Sequence, residues 1–313
     1  MTENFELIAE LHKGGAHRVA LQAPEGLKRR LFRLAGELKS AGFKVSISGD
    51  PCYGACDLDL EMLRDADILI HLGHAPVDGT DQVLYDIYRM DFDPVVVLNA
   101  VPYLTGPEIG LVTTVQHVHL IPAVSNILED AGFAVTVAEG SGRTPYAGQI
   151  LGCSFDAARK TGASEILYLG TGLFHPLGVQ IATGSRVIAC DPFTRNVEVV
   201  DGERLLRRRY ALIEKARTAD QIGILFSPKS GQGRRELAER LASLSPKATT
   251  ILLREVTPDQ LLNLGFSCYV NTACPRLAYD DQVRWPVPVL TPQEFEILCG
   301  VRTFDNYEVD EIR

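Results

Sequence analysis

The sequence predicts an α/β protein built as three small domains, each a parallel sheet flanked by helices. Three observations lead there. Short apolar runs alternate with amphipathic stretches of helical spacing, the signature of buried parallel strands covered by helices. One strand–loop–helix–strand unit occurs three times along the chain. Each unit is then followed by a further apolar strand, which a parallel sheet needs and a lone βαβ unit lacks.

The first unit runs Arg18–Gln22 (strand), Ala23-Pro24-Glu25-Gly26 (loop), Leu27–Ala41 (helix), Gly42 and Phe43–Ser48 (strand). The second follows the same order through Gly110–Thr114, Val115–Leu120, Ile121–Ala131, Gly132 and Phe133–Ala138. The third is Gln221–Phe226, Ser227–Gly233, Arg234–Leu244 and Ala248–Leu253. The first two copies share an Ala-Gly-Phe joint at 41–43 and 131–133, where glycine supplies the left-handed residue that ends a helix. The added strands are Ala66–Gly73, Ser164–Gly170 and Gly265–Asn271. Domain boundaries near Thr105 and Asp201 follow, giving Rossmann-like domains at 1–105, 106–201 and 202–313. Such folds bind ligands on loops at the carboxyl ends of their strands.

Composition narrows the class. Against 31 basic residues stand 40 acidic ones, a net charge of −9, so no broad footprint for nucleic acid exists. The run Arg207-Arg208-Arg209 lies in Glu203–Arg217, which reads as an amphipathic helix with a solvated basic face. Met1–Glu6 is acidic and lacks the basic-then-apolar order of a signal peptide. The longest charge-free stretch, Ile109–Leu128, carries Thr, Gln, His, Pro, Ser and Asn and is too polar for a membrane span. Seven cysteines, odd in number and scattered, do not form a disulfide framework, and a reducing cytoplasm is expected.

Chemistry concentrates in three cysteine loops. Gly49-Asp50-Pro51-Cys52-Tyr53-Gly54-Ala55-Cys56-Asp57-Leu58-Asp59 ends a strand in a sharp Gly/Pro turn, and a thiol on such a loop is well placed to ligate metal. Spacing alone does not choose between Cys52 and Cys56. The pair matches the first gap of a C-x-x-x-C-x-x-C triad, but the third position is Asp59, so the one-loop radical motif is absent. Cys153, in Ile150-Leu151-Gly152-Cys153-Ser154, follows the second strand of its unit; Cys274, in Val270-Asn271-Thr272-Ala273-Cys274-Pro275-Arg276, follows the third. One thiolate from each domain is thus available to a shared centre. Cys190, Cys268 and Cys299 sit in apolar runs and read as core residues. The histidines form no zinc-type pairs with these cysteines; His117 and His119 alternate as on one face of a strand, and His117 is a site candidate. Gly231-Gln232-Gly233-Arg234 opens a helix with two glycines, which allows close backbone approach to an anion.

Together these segments, with Gln22-Ala23-Pro24-Glu25-Gly26 and Lys229-Ser230-Gly231-Gln232-Gly233-Arg234, resemble the archaeal diphthamide synthase radical enzymes, the 2-(3-amino-3-carboxypropyl)histidine synthase family. The resemblance spans all three repeats, and Tyr53-Gly54-Ala55-Cys56 is its most specific part. It implies a homodimer of subunits whose three pseudo-symmetric domains surround a [4Fe–4S] cluster held by Cys56, Cys153 and Cys274, with one iron open to S-adenosylmethionine. It selects Cys56 over Cys52. It further implies cleavage of the Cγ–S bond and transfer of a 3-amino-3-carboxypropyl group to C2 of a histidine in translation elongation factor 2, the first step of diphthamide synthesis, with an electron donor required. Gly231, Gln232, Gly233 and Arg234 are expected to fix S-adenosylmethionine, with Arg276 as a carboxylate partner; no catalytic side chain beyond the cluster is named. The alternatives are a Lewis-acid enzyme like quinolinate synthase, or a non-enzymatic iron–sulfur electron carrier.

Overall fold

The computed structural model describes residues 5–77 and 79–312. The acidic start read from Met1–Asn4 lies outside the described residues. The backbone divides into two compact units, Met1–Met90 and Asp91–Arg313.

In the first unit, α1 (Phe5–Lys13) leads into β1 (Arg18–Gln22), α2 (Lys28–Ser40), β2 (Lys44–Ile47), β3 (Ile68–Leu72) and β4 (Val83–Asp86). Leu31, Leu34, Ala35 and Leu38 recur along one face of α2, and that stripe packs with Leu11, Val19, Leu21 and Ile70. The other sheet face is covered by Leu58, Ala66, Leu69 and Val83. Gly42 closes the helix at φ +97°, and Gly132 does the same at +96° in the second repeat, so the Ala-Gly-Phe joint behaves as its composition requires.

The second unit carries two sheets. One contains β5 (Glu108–Thr113), β6 (Ala134–Thr136), β7 (Glu165–Leu169), β8 (Arg186–Cys190) and β9 (Val197–Val199), with α3 (Ile121–Asp130), α4 (Asp156–Lys160) and α5 (Phe174–Thr183). After α6 (Gly202–Ala216), the other contains β10 (Ile222–Phe226), β11 (Ala248–Leu252), β12 (Cys268–Asn271) and β13 (Val289–Leu290), with α7 (Arg235–Ala242), α8 (Pro258–Leu264), α9 (Arg276–Tyr279) and α10 (Pro292–Leu298).

The expected α/β class is what the chain adopts: three sheets, parallel except for the antiparallel β8–β9 pair, flanked by helices. The strand orders are β2-β1-β3-β4, β6-β5-β7-β8-β9 and β11-β10-β12-β13, so in every sheet the first strand lies between the second and the third. β7 and β10 are buried at every position, as strands covered on both faces should be. A 3₁₀ stretch at Pro94–Tyr103, assigned from sequence to the end of the first domain, packs Val97 and Ala100 into one core with Ile109, Val124, Leu167 and Ile188 of the second sheet.

The basic helix departs from expectation at one residue. Arg207 and Arg208 are exposed, but Arg209 is 1% exposed and paired with Glu294 of α10. Helical rotation turns this third arginine inward, where a carboxylate is waiting; a charge run on a helix need not lie on one face. No helix among the described residues is long and apolar enough to cross a membrane.

Candidate metal centre and its surroundings

The structure sorts the seven thiols by environment. Cys56, Cys153 and Cys274 are half-buried on loops at the carboxyl edges of their own sheets, whereas Cys52, Cys190 and Cys268 are buried. Burial pushes the Cys190 thiol up to about 11 and the Cys268 thiol up to about 12, holding both protonated and unreactive. Cys299, half-buried just after α10, is also raised by burial.

In the first unit the loop after β2 is held by the end of β1. Gln22 Nε2 donates to the Asp57 carbonyl at 2.8 Å, while Gln22 Oε1 accepts from the Asp59 amide at 3.3 Å. Ser48 Oγ donates to Asp59 Oδ2 at 2.7 Å. A turn closes from the Asp57 amide to the Gly54 carbonyl at 3.0 Å, and a Cβ on Gly54 would stand 3.5 Å from Cys56 Sγ. Cys52 instead points its thiol at the Gly54 carbonyl, 3.7 Å away inside the loop. The turn therefore aims the two cysteines differently.

Behind Gln22 lies a histidine pair at the end of β3, His71 buried and His74 partly so. His71 Nδ1 is 3.2 Å from Gln22 Oε1, and His71 Nε2 is 3.0 Å from His74 Nδ1. Burial, with the neighbouring His74, lowers His71 to about 3; burial alone lowers His74 to about 4. Both rings are neutral at physiological pH, which lets one accept and the other donate. Sequence reasoning passed over this pair. The His-x-x-His spacing at 71–74 was the available signal.

In the second sheet the chain between β6 and α4 returns to β5. The Thr113 amide donates to Gly148 O at 2.8 Å and the Ile150 amide to Thr113 O at 2.9 Å, which places Cys153 beyond the end of β5. Gly152 lies against the Phe174 ring: a Cβ there would meet Phe174 Cε1 at 2.0 Å. Only glycine admits so close a pass.

In the third sheet Asn271 ends β12 and folds the next turn around its own amide. Its Nδ2 donates to Cys274 O at 2.8 Å and its Oδ1 accepts from the Ala273 amide at 3.0 Å. The Gly231-Gln232-Gly233 turn follows β10, with Gly231 and Gln232 buried and Gly233 exposed; Arg143, from the loop before Cys153, donates to Gly231 O at 3.0 Å.

Two expected ligand contacts take a specific form. All five N–H groups of Arg234 are spent within the chain: Nε on Thr272 O (2.7 Å), Nη1 on Asp310 Oδ1 (2.7 Å) and Glu311 O (3.2 Å), Nη2 on Ala273 O (2.9 Å) and Asp310 Oδ2 (2.7 Å). It braces the Cys274 loop and leaves no donor for a ligand. Arg276 is exposed, pairs with Asp280 at 2.8 Å, and lies over the Phe174 ring at 5.4 Å, on the ring that contacts Gly152. His117 is not on a strand: it precedes a 3₁₀ turn, buried between Phe92 and Phe193 at 5.3 and 5.8 Å, while His119 reaches Asp91 at 2.8 Å. Phe92, Phe193 and Arg195 line a cavity of about 390 Å³ nearby.

Among the described residues no three His, Cys, Asp or Glu side chains gather around a single metal ion. A four-iron cluster makes a different demand, since its thiolates are spread over separate irons. Half-buried thiols on three separate loops suit that demand.

Fold and loops define an α/β protein of three like-ordered sheets, each with a half-buried cysteine at its carboxyl edge. The family model for diphthamide synthesis proteins matches residues 23–308, and the chain belongs to that family. It is 40% identical to the 2-(3-amino-3-carboxypropyl)histidine synthase of Pyrococcus horikoshii, over 98% of this chain and 92% of that one. Subunit 1 of the human synthase is 32% identical over 93% of this chain and 70% of its own length. The crystal structure of Dph2 from Pyrococcus horikoshii with a 4Fe-4S cluster superposes with a TM-score of 0.93 at 37% identity, covering 100% of this chain and 94% of that one.

Proposed function

We propose that this chain is a 2-(3-amino-3-carboxypropyl)histidine synthase, a transferase that modifies a histidine of translation elongation factor 2 in the first step of diphthamide synthesis. The observation that carries this reading is likeness to the Pyrococcus horikoshii enzyme from end to end, in sequence and fold together. We assign Cys56, Cys153 and Cys274 as the ligands of a [4Fe–4S] cluster, one from each of three pseudo-symmetric domains at 1–105, 106–201 and 202–313. When bound, a cluster with one iron lacking a protein ligand supplies a coordination site for S-adenosylmethionine and the electron that breaks its Cγ–S bond.

The chain's own part is positioning. Gln22 holds the Cys56 loop, Gly152 lets the Cys153 loop close on Phe174, and Asn271 with Arg234 fixes the turn before Cys274. Gly231, Gln232 and Gly233 are assigned to S-adenosylmethionine through close backbone approach, and Arg276 to its carboxylate, since that guanidinium is exposed and holds Asp280 through Nε. Arg234 serves the same site indirectly, through the Cys274 loop. A homodimer, an external one-electron donor and a cytoplasmic setting complete the proposal.

The test is anaerobic reconstitution with iron and sulfide, reduction with dithionite and addition of S-adenosylmethionine. Methylthioadenosine should form only with the reduced protein, and elongation factor 2 should gain the 3-amino-3-carboxypropyl group. Cys56→Ala, Cys153→Ala and Cys274→Ala should each lose bound iron and product, whereas Cys52→Ala and Cys190→Ala keep both. Deoxyadenosine, or quinolinate from its precursors, would overturn the assignment.

A further inference from the structure

We infer that residues 307–312 form a positioning strap that fixes the Cys153 and Cys274 loops relative to each other, with Asp310 as its central residue. The inference rests on the ligand assignment proposed above.

Both loops lie in the second unit, on different sheets, and the segment ties to each. Toward the third sheet, the Asp310 carboxylate takes two hydrogen bonds from Arg234, both 2.7 Å, and Arg234 in turn donates to the carbonyls of Thr272 and Ala273, the two residues before Cys274. Toward the second sheet, the Ile312 amide donates to the Cys153 carbonyl itself at 2.9 Å. Between them, Glu311 Oε1 accepts from the Phe155 amide at 2.8 Å, two residues past Cys153, and the Glu311 carboxylate pairs with Arg159 of α4.

The segment is built in. Val309, Asp310 and Ile312 are buried, and Val309 belongs to the second sheet's core beside Phe155 and Tyr168. The Asp310 amide donates to the Tyr279 hydroxyl at 3.1 Å, and Tyr307 Oη lies 2.8 Å from Glu294 Oε1, which anchors the other end to the third sheet. A carboxylate wholly removed from solvent demands a full set of partners, and an arginine with all five donors engaged is as immobile as that side chain becomes. Cys274 and Cys153 are therefore connected by a short run of backbone and one planar ion pair. Two thiolates that must bind one rigid cluster need a fixed separation, which the strap reinforces beside the contact of Arg276 with the Phe174 ring over Gly152.

Two variants separate the ends of the strap. Asp310→Asn keeps the shape and removes the charge holding Arg234; Ile312→Pro removes the amide that holds Cys153, while Ile312→Val keeps it. Hydrogen exchange of the metal-free protein is measured on peptides covering 270–277 and 150–155, alongside thermal melting. Asp310→Asn should speed exchange about ten-fold in the first peptide, Ile312→Pro about ten-fold in the second, and Ile312→Val in neither, with the β10 peptide unchanged throughout. After reconstitution both active variants should hold less iron and show an altered electron paramagnetic resonance spectrum when reduced. Wild-type exchange in both peptides and a wild-type spectrum would overturn the strap. If Asp310→Asn fails to melt cooperatively, Ile312→Pro decides. A wild-type protein that takes up no cluster sinks the ligand assignment, while the exchange data still decide the strap.

Discussion

Replacing Arg209 with methionine should be among the most destabilising single changes in the second unit. Its guanidinium donates to Glu294 Oε1 (2.7 Å) and Oε2 (2.5 Å), to Ala278 O (2.6 Å) and to Val289 O (2.8 Å), with both charged side chains almost wholly buried. Removing one partner of a buried pair costs about 3–5 kcal/mol, because the remaining charge keeps its desolvation penalty without its attraction. Glu294 retains the Thr291 amide and the Tyr307 hydroxyl, which soften the loss. The orphaned carbonyls of Ala278 and Val289 add to it, at roughly 1–3 kcal/mol per unsatisfied group. We expect about 5 kcal/mol in all, the low end of each range, because of that softening. The double variant Arg209→Met/Glu294→Leu removes both charges and should recover about half of that, since the charge penalty vanishes and the lost carbonyl bonds do not. Urea unfolding followed by Trp285 fluorescence is the assay, because the chain's single tryptophan packs in the third sheet's core with its indole N–H on Leu277 O. A single variant losing less than about 1 kcal/mol, or a double variant no more stable than the single, would refute the reasoning.

The histidine pair gives a pH signature. Both folded values, about 3 for His71 and about 4 for His74, lie below the ordinary 6.5, so their contribution is complete above pH 6.5 and is lost as pH falls toward 4, where the unfolded chain binds protons that the folded one refuses. Unfolding free energy of the first unit should drop over that window by up to about 1.4 kcal/mol per pH unit for each histidine, and His71→Asn/His74→Asn should flatten the slope; an unchanged slope contradicts the burial argument. Gly152→Ala forces aside the Phe174 ring, whose Cε1 would lie 2.0 Å from the new Cβ. It should cost about 1–3 kcal/mol and lower bound iron, with Phe174→Leu restoring both; iron uptake equal to wild type would show that the loop relaxes freely.

The fold was legible because its signals are local. β1, for instance, occupies the run of Arg18–Gln22 that its composition marks, and the two Ala-Gly-Phe joints turn at the glycines that composition singles out. The candidate cysteines were readable as loop residues from their Gly, Pro and Asp neighbours. Long-range pairing was not readable. Nothing beside Arg209 in the sequence announces Glu294, and nothing beside Arg234 announces Asp310, because each pair is separated by more than 70 residues and meets only when sheets and helices pack. Arg234 looked like a ligand for a small molecule because a helix start with two glycines is a general anion site; the local pattern cannot tell whether the anion comes from outside or from the chain itself. His71 and His74 were missed for a related reason, as only burial makes them a neutral, mutually bonded pair.

The sorting of the thiols bears on how the protein ages. Oxygen attacks thiolates, and Cys190 and Cys268, driven to about 11 and about 12 inside strands, stay out of its reach. Oxidation after cluster loss is then expected at the half-buried loop cysteines, Cys56, Cys153 and Cys274, where disulfides and sulfenic acids remain open to thiol repair. The strands that carry the protected thiols, β8 and β12, should keep their shape through such an episode, and a protein stripped of its cluster should then accept a new one.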